Sequence, residues 1–199
     1  FSILRKDSTS FENYPYRNGK KNTISDRYVY DMYDDGTNVW IATYGGGINI
    51  LDKKTKHITY LTTKNGLCND AIYTIIPQTD SVLWLGTNKG LAKLNTKTRE
   101  FTNYEMDDGI PSDEFNMLSK FRDVEGEIFM GTINGVISFK PGNITENTLQ
   151  PKVYLSKIRK NGLYLNDSLT AVVNRDKVLT TKYREDVFLE FSPLTFYGN

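Results

Sequence analysis

Few residues in this 199-residue chain have the type and spacing that catalysis needs. His57 is the single histidine, set between Lys56 and Ile58 at a predicted strand start. A Ser-His-Asp or Cys-His site needs a nucleophile in reach and a third group to orient the base. Nothing nearby supplies either, and His57 reads as a solvated surface histidine. Cys68, the single cysteine, follows Gly66-Leu67 and reads as structural; one thiol forms no internal disulfide. Zinc lacks ligands. Asp34-Asp35-Gly36-Thr37-Asn38 is rich in oxygen, but a calcium loop wants carboxylates at alternate positions and a bidentate acid further on. It reads as a hairpin turn. Gly45-Gly46-Gly47 joins two predicted strands, with no helix N-terminus to complete a phosphate site. Asp107-Asp108 and Asp113-Glu114 are paired carboxylates of the kind a glycosidase uses, in a polar loop that does not set their separation. No catalytic residue, metal or cofactor is expected.

The glycine-rich stretch matters for another reason. Val39-Trp40-Ile41-Ala42-Thr43-Tyr44-Gly45-Gly46-Gly47-Ile48-Asn49 returns as Leu83-Trp84-Leu85-Gly86-Thr87-Asn88-Lys89-Gly90-Leu91. It returns again as Ile128-Phe129-Met130-Gly131-Thr132-Ile133-Asn134-Gly135-Val136. The aromatics are 44 and 45 residues apart, a spacing that marks a repeat architecture. Each repeat reads as four parts. An apolar strand (Tyr28 to Tyr33, Ile72 to Ile76, Phe115 to Phe121) leads to an acidic or polar turn. The aromatic strand, the glycine turn and a third strand follow, and a Lys/Thr turn leads to the fourth. Asp-Gly between strands is a hairpin signal, because glycine accepts positive φ without steric cost. Ser2 to Tyr14 parallels Asn49 to Tyr60 and Lys93 to Tyr104, so the chain opens about halfway through a repeat. No stretch holds a helical period. Four antiparallel strands per repeat at this length describe a β-propeller blade. Trp40, Trp84 and Phe129 read as packing between neighbouring blades. After Phe139-Lys140-Pro141-Gly142 the period stops. Strands over Pro151 to Ile158, Leu179 to Tyr183 and Asp186 to Ser192, with an Asn161-Gly162 turn, read as the start of a β-sandwich. Val187, Leu189 and Phe191 alternate with Phe188, Glu190 and Ser192.

The fold expectation is therefore all-β: a partial β-propeller of about three four-stranded blades, then the start of an immunoglobulin-like sandwich. Residues 1–144 form the blades, 145–152 a linker and 153–199 the truncated sandwich. Propellers close with about four to eight blades, so the chain is expected to be part of a larger ring and to meet the remaining blades of the same protein.

Hydrophobic residues make up 38% and charged residues 25%, an ordinary soluble composition. The net charge of +1 makes no electrostatic case for nucleic acid or an anionic membrane, and no nucleic-acid contact is expected. In an antiparallel meander alternate turns emerge at the same end. The glycine turns thus share a rim with the connections between blades. That rim gathers Tyr44, Gly45, Asn65, Asn69, Asp70, Asn88, Lys89, Asp113, Asn116 and Asn134 as candidate ligand contacts, with Asp26, Arg27, Lys64 and Ile133 beside them. Asn, Asp, Lys and Tyr side chains suit sugar hydroxyls, which need donors, acceptors and an aromatic face.

The three Trp/Phe-x-Gly/Ala-Thr strings resemble the regulator-propeller repeats of Bacteroides-type hybrid two-component systems. Glu114-Phe115-Asn116, Gly126 to Gly131, Asn134-Gly135-Val136 and Phe139-Lys140-Pro141 resemble the closing blade of that family. Pro151 to Leu155, Asn161-Gly162 and Val187 to Ser192 resemble the triple-tyrosine immunoglobulin-like module that follows it. Three departures stand out: Phe129 replaces Trp, two extra residues separate Asp113 from Phe129 compared with Asp70 to Trp84, and the first glycine turn is one residue longer than the other two. The resemblance implies a periplasmic sensor region that detects oligosaccharides. It implies relay across the membrane to a histidine kinase that controls polysaccharide-utilisation genes, and a homodimeric receptor. Two alternatives are a propeller polysaccharide lyase or glycosidase, and a protein-interaction scaffold.

Overall fold

The computed structural model describes residues 1–4, 9–17, 19–144, 152–165, 179 and 185–194. Among the described residues it is all-β apart from three short 3-10 turns. Strands β1 (Ser2–Leu4) and β2 (Phe11–Asn13) form a two-stranded first sheet. The second sheet is a meander of β3 (Val29–Asp34), β4 (Asn38–Thr43), β5 (Ile48–Asp52) and β6 (Ile58–Leu61). The third repeats it with β7 (Ile72–Thr79), β8 (Val82–Thr87), β9 (Leu91–Asn95) and β10 (Phe101–Tyr104). The fourth holds β11 (Phe115–Arg122), β12 (Ile128–Thr132) and β13 (Gly135–Phe139), three strands among the described residues where four were expected. A 3-10 turn at Pro141–Asn143 follows β13; proline donates no N–H and ends the ladder there.

The two middle sheets are covered on both faces, which is why β4 and β8 are buried almost throughout instead of alternately. Ile41, Leu51 and Ile58 pack towards the first sheet with Tyr14 and Ile24. Trp40, Ala42 and Ile50 pack instead with Ile75, Leu83 and Leu85 of the third sheet. Trp84 repeats this one sheet on, with Phe115, Ile128, Met130 and Ile137. Each buried indole still needs an acceptor. Trp40 Nε1 donates to Asp35 Oδ2 at 2.7 Å, and Trp84 Nε1 to Gln78 Oε1 at 2.8 Å. Arg99, from the β9–β10 turn, lies 4.9 Å over the Trp40 ring. Phe129 holds the same register place on β12 but is only half buried.

The threonine and the small residue of the repeated string have physical causes. Thr43, Thr87 and Thr132 donate their hydroxyls across the turn to Gly47, Gly90 and Gly135 carbonyls at 2.8, 2.7 and 3.1 Å. A Cβ on Gly86 would stand 2.6 Å from Thr74 Oγ1 on the neighbouring strand, 2.8 Å from Met130 Cε and 3.1 Å from Phe115 Cδ1, so its own sheet and the fourth sheet together require a small residue there.

Residues Phe1–Thr145 form one compact unit and Glu146–Asn199 a second. In the second, β14 (Lys152–Lys160) pairs antiparallel with β15 (Leu163–Tyr164) and with β16 (Val187–Leu194). Asn161 (φ 47°) and Gly162 (φ 82°) make the tight turn between β14 and β15. Leu155 and Ile158 are buried. Phe188, Leu189 and Phe191 are all exposed, so the alternation along β16 does not become one buried face among the described residues. Of the predicted Leu179 to Tyr183 strand, all but Leu179 lies outside the described residues, as does most of the predicted linker.

Candidate functional site

The glycine turns are tied to the connections that enter the next sheet. Gly47 N donates to Asp70 O at 2.9 Å, and Gly90 N to Asp113 O at 2.7 Å. The turn at Tyr44 is tied to its own sheet by Tyr44 N donating to Tyr28 O at 3.2 Å. The glycines of the first turn are demanded by close crossings. A Cβ on Gly46 would lie 2.0 Å from Ser25 Oγ, and one on Gly47 2.2 Å from the Leu61 carbonyl oxygen.

Most of the polar rim candidates are spent within these loops. Asn65 Oδ1 accepts from Thr62 N at 3.0 Å in a capping box. Asn69 Oδ1 accepts from Ala71 N at 2.8 Å, and Asp70 Oδ1 from Thr63 N at 2.6 Å. Asp113 Oδ1 takes Met106 N at 2.8 Å. Asn116 Nδ2 donates to Thr132 O at 2.8 Å, and Asn134 Nδ2 to Pro111 O at 3.3 Å. Asn88 Oδ1 accepts from the Tyr73 hydroxyl at 2.7 Å. Lys89 and Tyr44 remain exposed at the rim, with Gly45 beside them. Of the carboxylates weighed for catalysis, Asp108 Oδ2 accepts Glu105 N at 2.9 Å and Asp113 is engaged as above; Asp35, weighed for calcium, holds Thr37 N, Asn38 N and the Trp40 indole.

What the structure assembles here is a tyrosine cluster. The β3–β4 register skips Tyr30, and the β7–β8 register skips Tyr73, so each is the extra residue of a bulge. The bulges turn both rings toward Tyr44. Tyr30 lies 5.7 Å from Tyr44 edge-on and 5.5 Å from Tyr73; Tyr28 stands 6.4 Å from Tyr44 at 90°. Tyr28 and Tyr44 are 56% and 48% exposed, so a ligand has access to them. Burial pushes the Tyr30 hydroxyl above its usual 10.0, and Tyr44, Tyr28 and Asp26 add to it. Burial likewise raises Tyr73, with Tyr44, Glu114 and Tyr30 adding. Both keep their protons at neutral pH and stay hydrogen-bond donors. Tyr28, Tyr30 and Tyr73 were absent from the candidates read from sequence. The signal that could have found Tyr30 and Tyr73 is a tyrosine at the same place in two first strands.

On β11 the same bulge holds three extra residues instead of one, because the two-residue excess noted above falls between Phe115 and Lys120. Met117 and Leu118 are exposed there, and Leu118 has φ 58°. Elsewhere His57 is exposed in the β5–β6 turn, and Cys68 Sγ sits half buried, 3.4 Å from Thr87 Oγ1, its thiol pushed up by burial. Among the described residues no three His, Cys, Asp or Glu gather as metal ligands.

In fold, the chain is similar to the extracellular domains of bacterial hybrid two-component systems. The extracellular domain of hybrid two component system BT3049 from B. thetaiotaomicron superposes with a TM-score of 0.58 at 22% identity, over 74% of this chain and 20% of that one. That of BT4673 from the same organism gives 0.55 at 26% identity, over 68% and 19%. Histidine kinase P4 of Formosa agariphila is 33% identical over 95 residues, 48% of this chain and 7% of that protein. No family model matches. The resemblance to Bacteroides-type hybrid two-component sensors thus holds in sequence and in fold, and the chain spans a fifth or less of the length of these three proteins. No helix among the described residues is long and apolar enough to cross a membrane.

Proposed function

We propose that the chain is a ligand-sensing segment of a hybrid two-component receptor, on the periplasmic side, that binds an oligosaccharide and performs no catalysis itself. In this reading residues 1–144 are consecutive blades of a β-propeller completed by the rest of the same protein. Residues 145–152 are the link, and 153–199 begin an immunoglobulin-like sandwich. The observation that carries the saccharide reading is the cluster of Tyr28, Tyr30, Tyr44 and Tyr73, with two rings open to solvent and the Tyr73 hydroxyl committed to Asn88. Tyrosine offers a flat apolar face and a hydroxyl, which matches the C–H face and the hydroxyls of a pyranose. The sensor role rests on the likeness to the extracellular domains above.

Signalling needs more than binding. A ligand shifts an equilibrium only as far as its affinities for the two arrangements differ. The receptor is expected to be a homodimer, as hybrid kinases are, with a histidine kinase beyond the membrane controlling polysaccharide-utilisation genes. The test is calorimetric titration of a broad oligosaccharide panel. One glycan binds without turnover, and Tyr44→Ala weakens it tenfold or more. Turnover of a polysaccharide would replace the sensor by an enzyme. Capture of a protein partner with no glycan bound would replace it by a scaffold.

A further inference from the structure

We infer that Asp26, set beside the Tyr28–Tyr44 pair, accepts hydroxyl groups of a neutral pyranose and excludes acidic sugars from that position. The inference rests on the saccharide reading and narrows its ligand class. Asp26 Oδ1 accepts Tyr28 N at 2.8 Å, which fixes the carboxylate at the base of the Tyr28 ring. Its other oxygen faces the glycine turn, 3.4 Å from where a Cβ on Gly45 would sit, one residue from Tyr44. That oxygen takes no hydrogen bond from any described residue. An acceptor-only carboxylate beside two open tyrosine rings can take two neighbouring hydroxyls while the sugar stacks.

The charges at this end are mixed: Lys64 and Lys89 are exposed on the rim, while acids fill the connection that follows. The connection over residues 105–114 carries Glu105, Asp107, Asp108, Asp113 and Glu114 and no base. It is held at the same end by Gly90 N donating to Asp113 O and Ile133 N to Glu114 O. Glu114 is close enough to Tyr73 to act on its hydroxyl. Arg27, the cation next in sequence to Asp26, lies 5.9 Å over the Tyr16 ring. A uronate or sulfate placed on the Tyr28–Tyr44 pair meets Asp26 as a like charge, which disfavours it.

The test titrates the full chain with neutral cello-, manno-, xylo- and arabino-oligosaccharides and with oligogalacturonides. Asp26→Asn keeps the acceptor for Tyr28 N and turns the free oxygen into a donor. The expected result is binding of a neutral series only, weakened tenfold or more by Asp26→Asn with an unchanged thermal melt. A preference of the native chain for oligogalacturonides overturns the inference. If Tyr44→Ala abolishes neutral binding while Asp26→Asn leaves it intact, the inference falls and the saccharide reading stands. If no oligosaccharide of the panel binds, that reading falls and takes the inference with it.

Discussion

Asp31 and Lys120 lie 89 residues apart in sequence and form one ion pair shared by three strands. Asp31 stands on β3 and Lys120 on β11, and between them passes the Ile75 peptide of β7. Ile75 N donates to Asp31 Oδ2 at 2.6 Å, and Lys120 Nζ donates to Ile75 O at 2.8 Å. The side chains are only 11% and 29% exposed, so this pair is less screened than a surface bridge. Lys120→Met leaves Asp31 with its two backbone donors and no cation. The expected cost is about 1–3 kcal/mol, and a double-mutant cycle with Asp31→Asn shows a coupling above about 0.5 kcal/mol. Denaturant unfolding of the four variants measures it, and additive losses would remove the tie.

Trp84 and Phe129 occupy one register position in successive sheets, yet only Trp84 is enclosed. Trp84→Ala is expected to cost about 3–5 kcal/mol by opening a cavity between sheets. Phe129→Ala loses partial burial alone, about 1–2 kcal/mol. Equal losses in thermal unfolding would contradict the packing described.

The two glycines Gly47 and Gly36 both have positive φ, at 69° and 92°. Only Gly47 also meets a neighbour, the Leu61 carbonyl. Gly36→Ala is expected to cost the conformational penalty, about 1–2 kcal/mol. Gly47→Ala adds the clash and exceeds about 3 kcal/mol or misfolds. A milder Gly47→Ala than Gly36→Ala would refute the crossing.

Asp35 ties stability to pH. Burial alone would raise its carboxyl, but donors from Asn38, Trp40 and Thr37 outweigh it and hold it below 3.8. A lowered folded value means the stability is complete above the unfolded value and is lost as pH falls through the folded one. Melting temperature followed from about pH 7 to about pH 2 should fall steeply only below the ordinary carboxylate range. Asp35→Ala, which also strands the Trp40 indole, should cost about 1–3 kcal/mol at neutral pH and flatten that acid slope. An unchanged slope would show that Asp35 carries none of it.

Much of the strand order was legible because it is local. The period of the Trp40 and Trp84 strings, the threonine beside the turn and the Asp-Gly hairpin all depend on residues a few places apart. The small residue at Gly86 was visible as a pattern, but its cause, the approach of Thr74, Met130 and Phe115, was not. The fourth sheet shows three strands among the described residues, and residues 145–151, where the repeat stops, lie outside them.

The sequence by itself determined an all-β chain of repeated antiparallel units and the rim where its turns and connections meet. Only the tertiary structure decided which rim groups are free. Asn65, Asp70 and Asp113 satisfy loop N–H groups that would otherwise be left without partners, and no local spacing announces that exchange. It also decided that the tyrosines gather, because a bulge is a mismatch between two strands and belongs to neither alone.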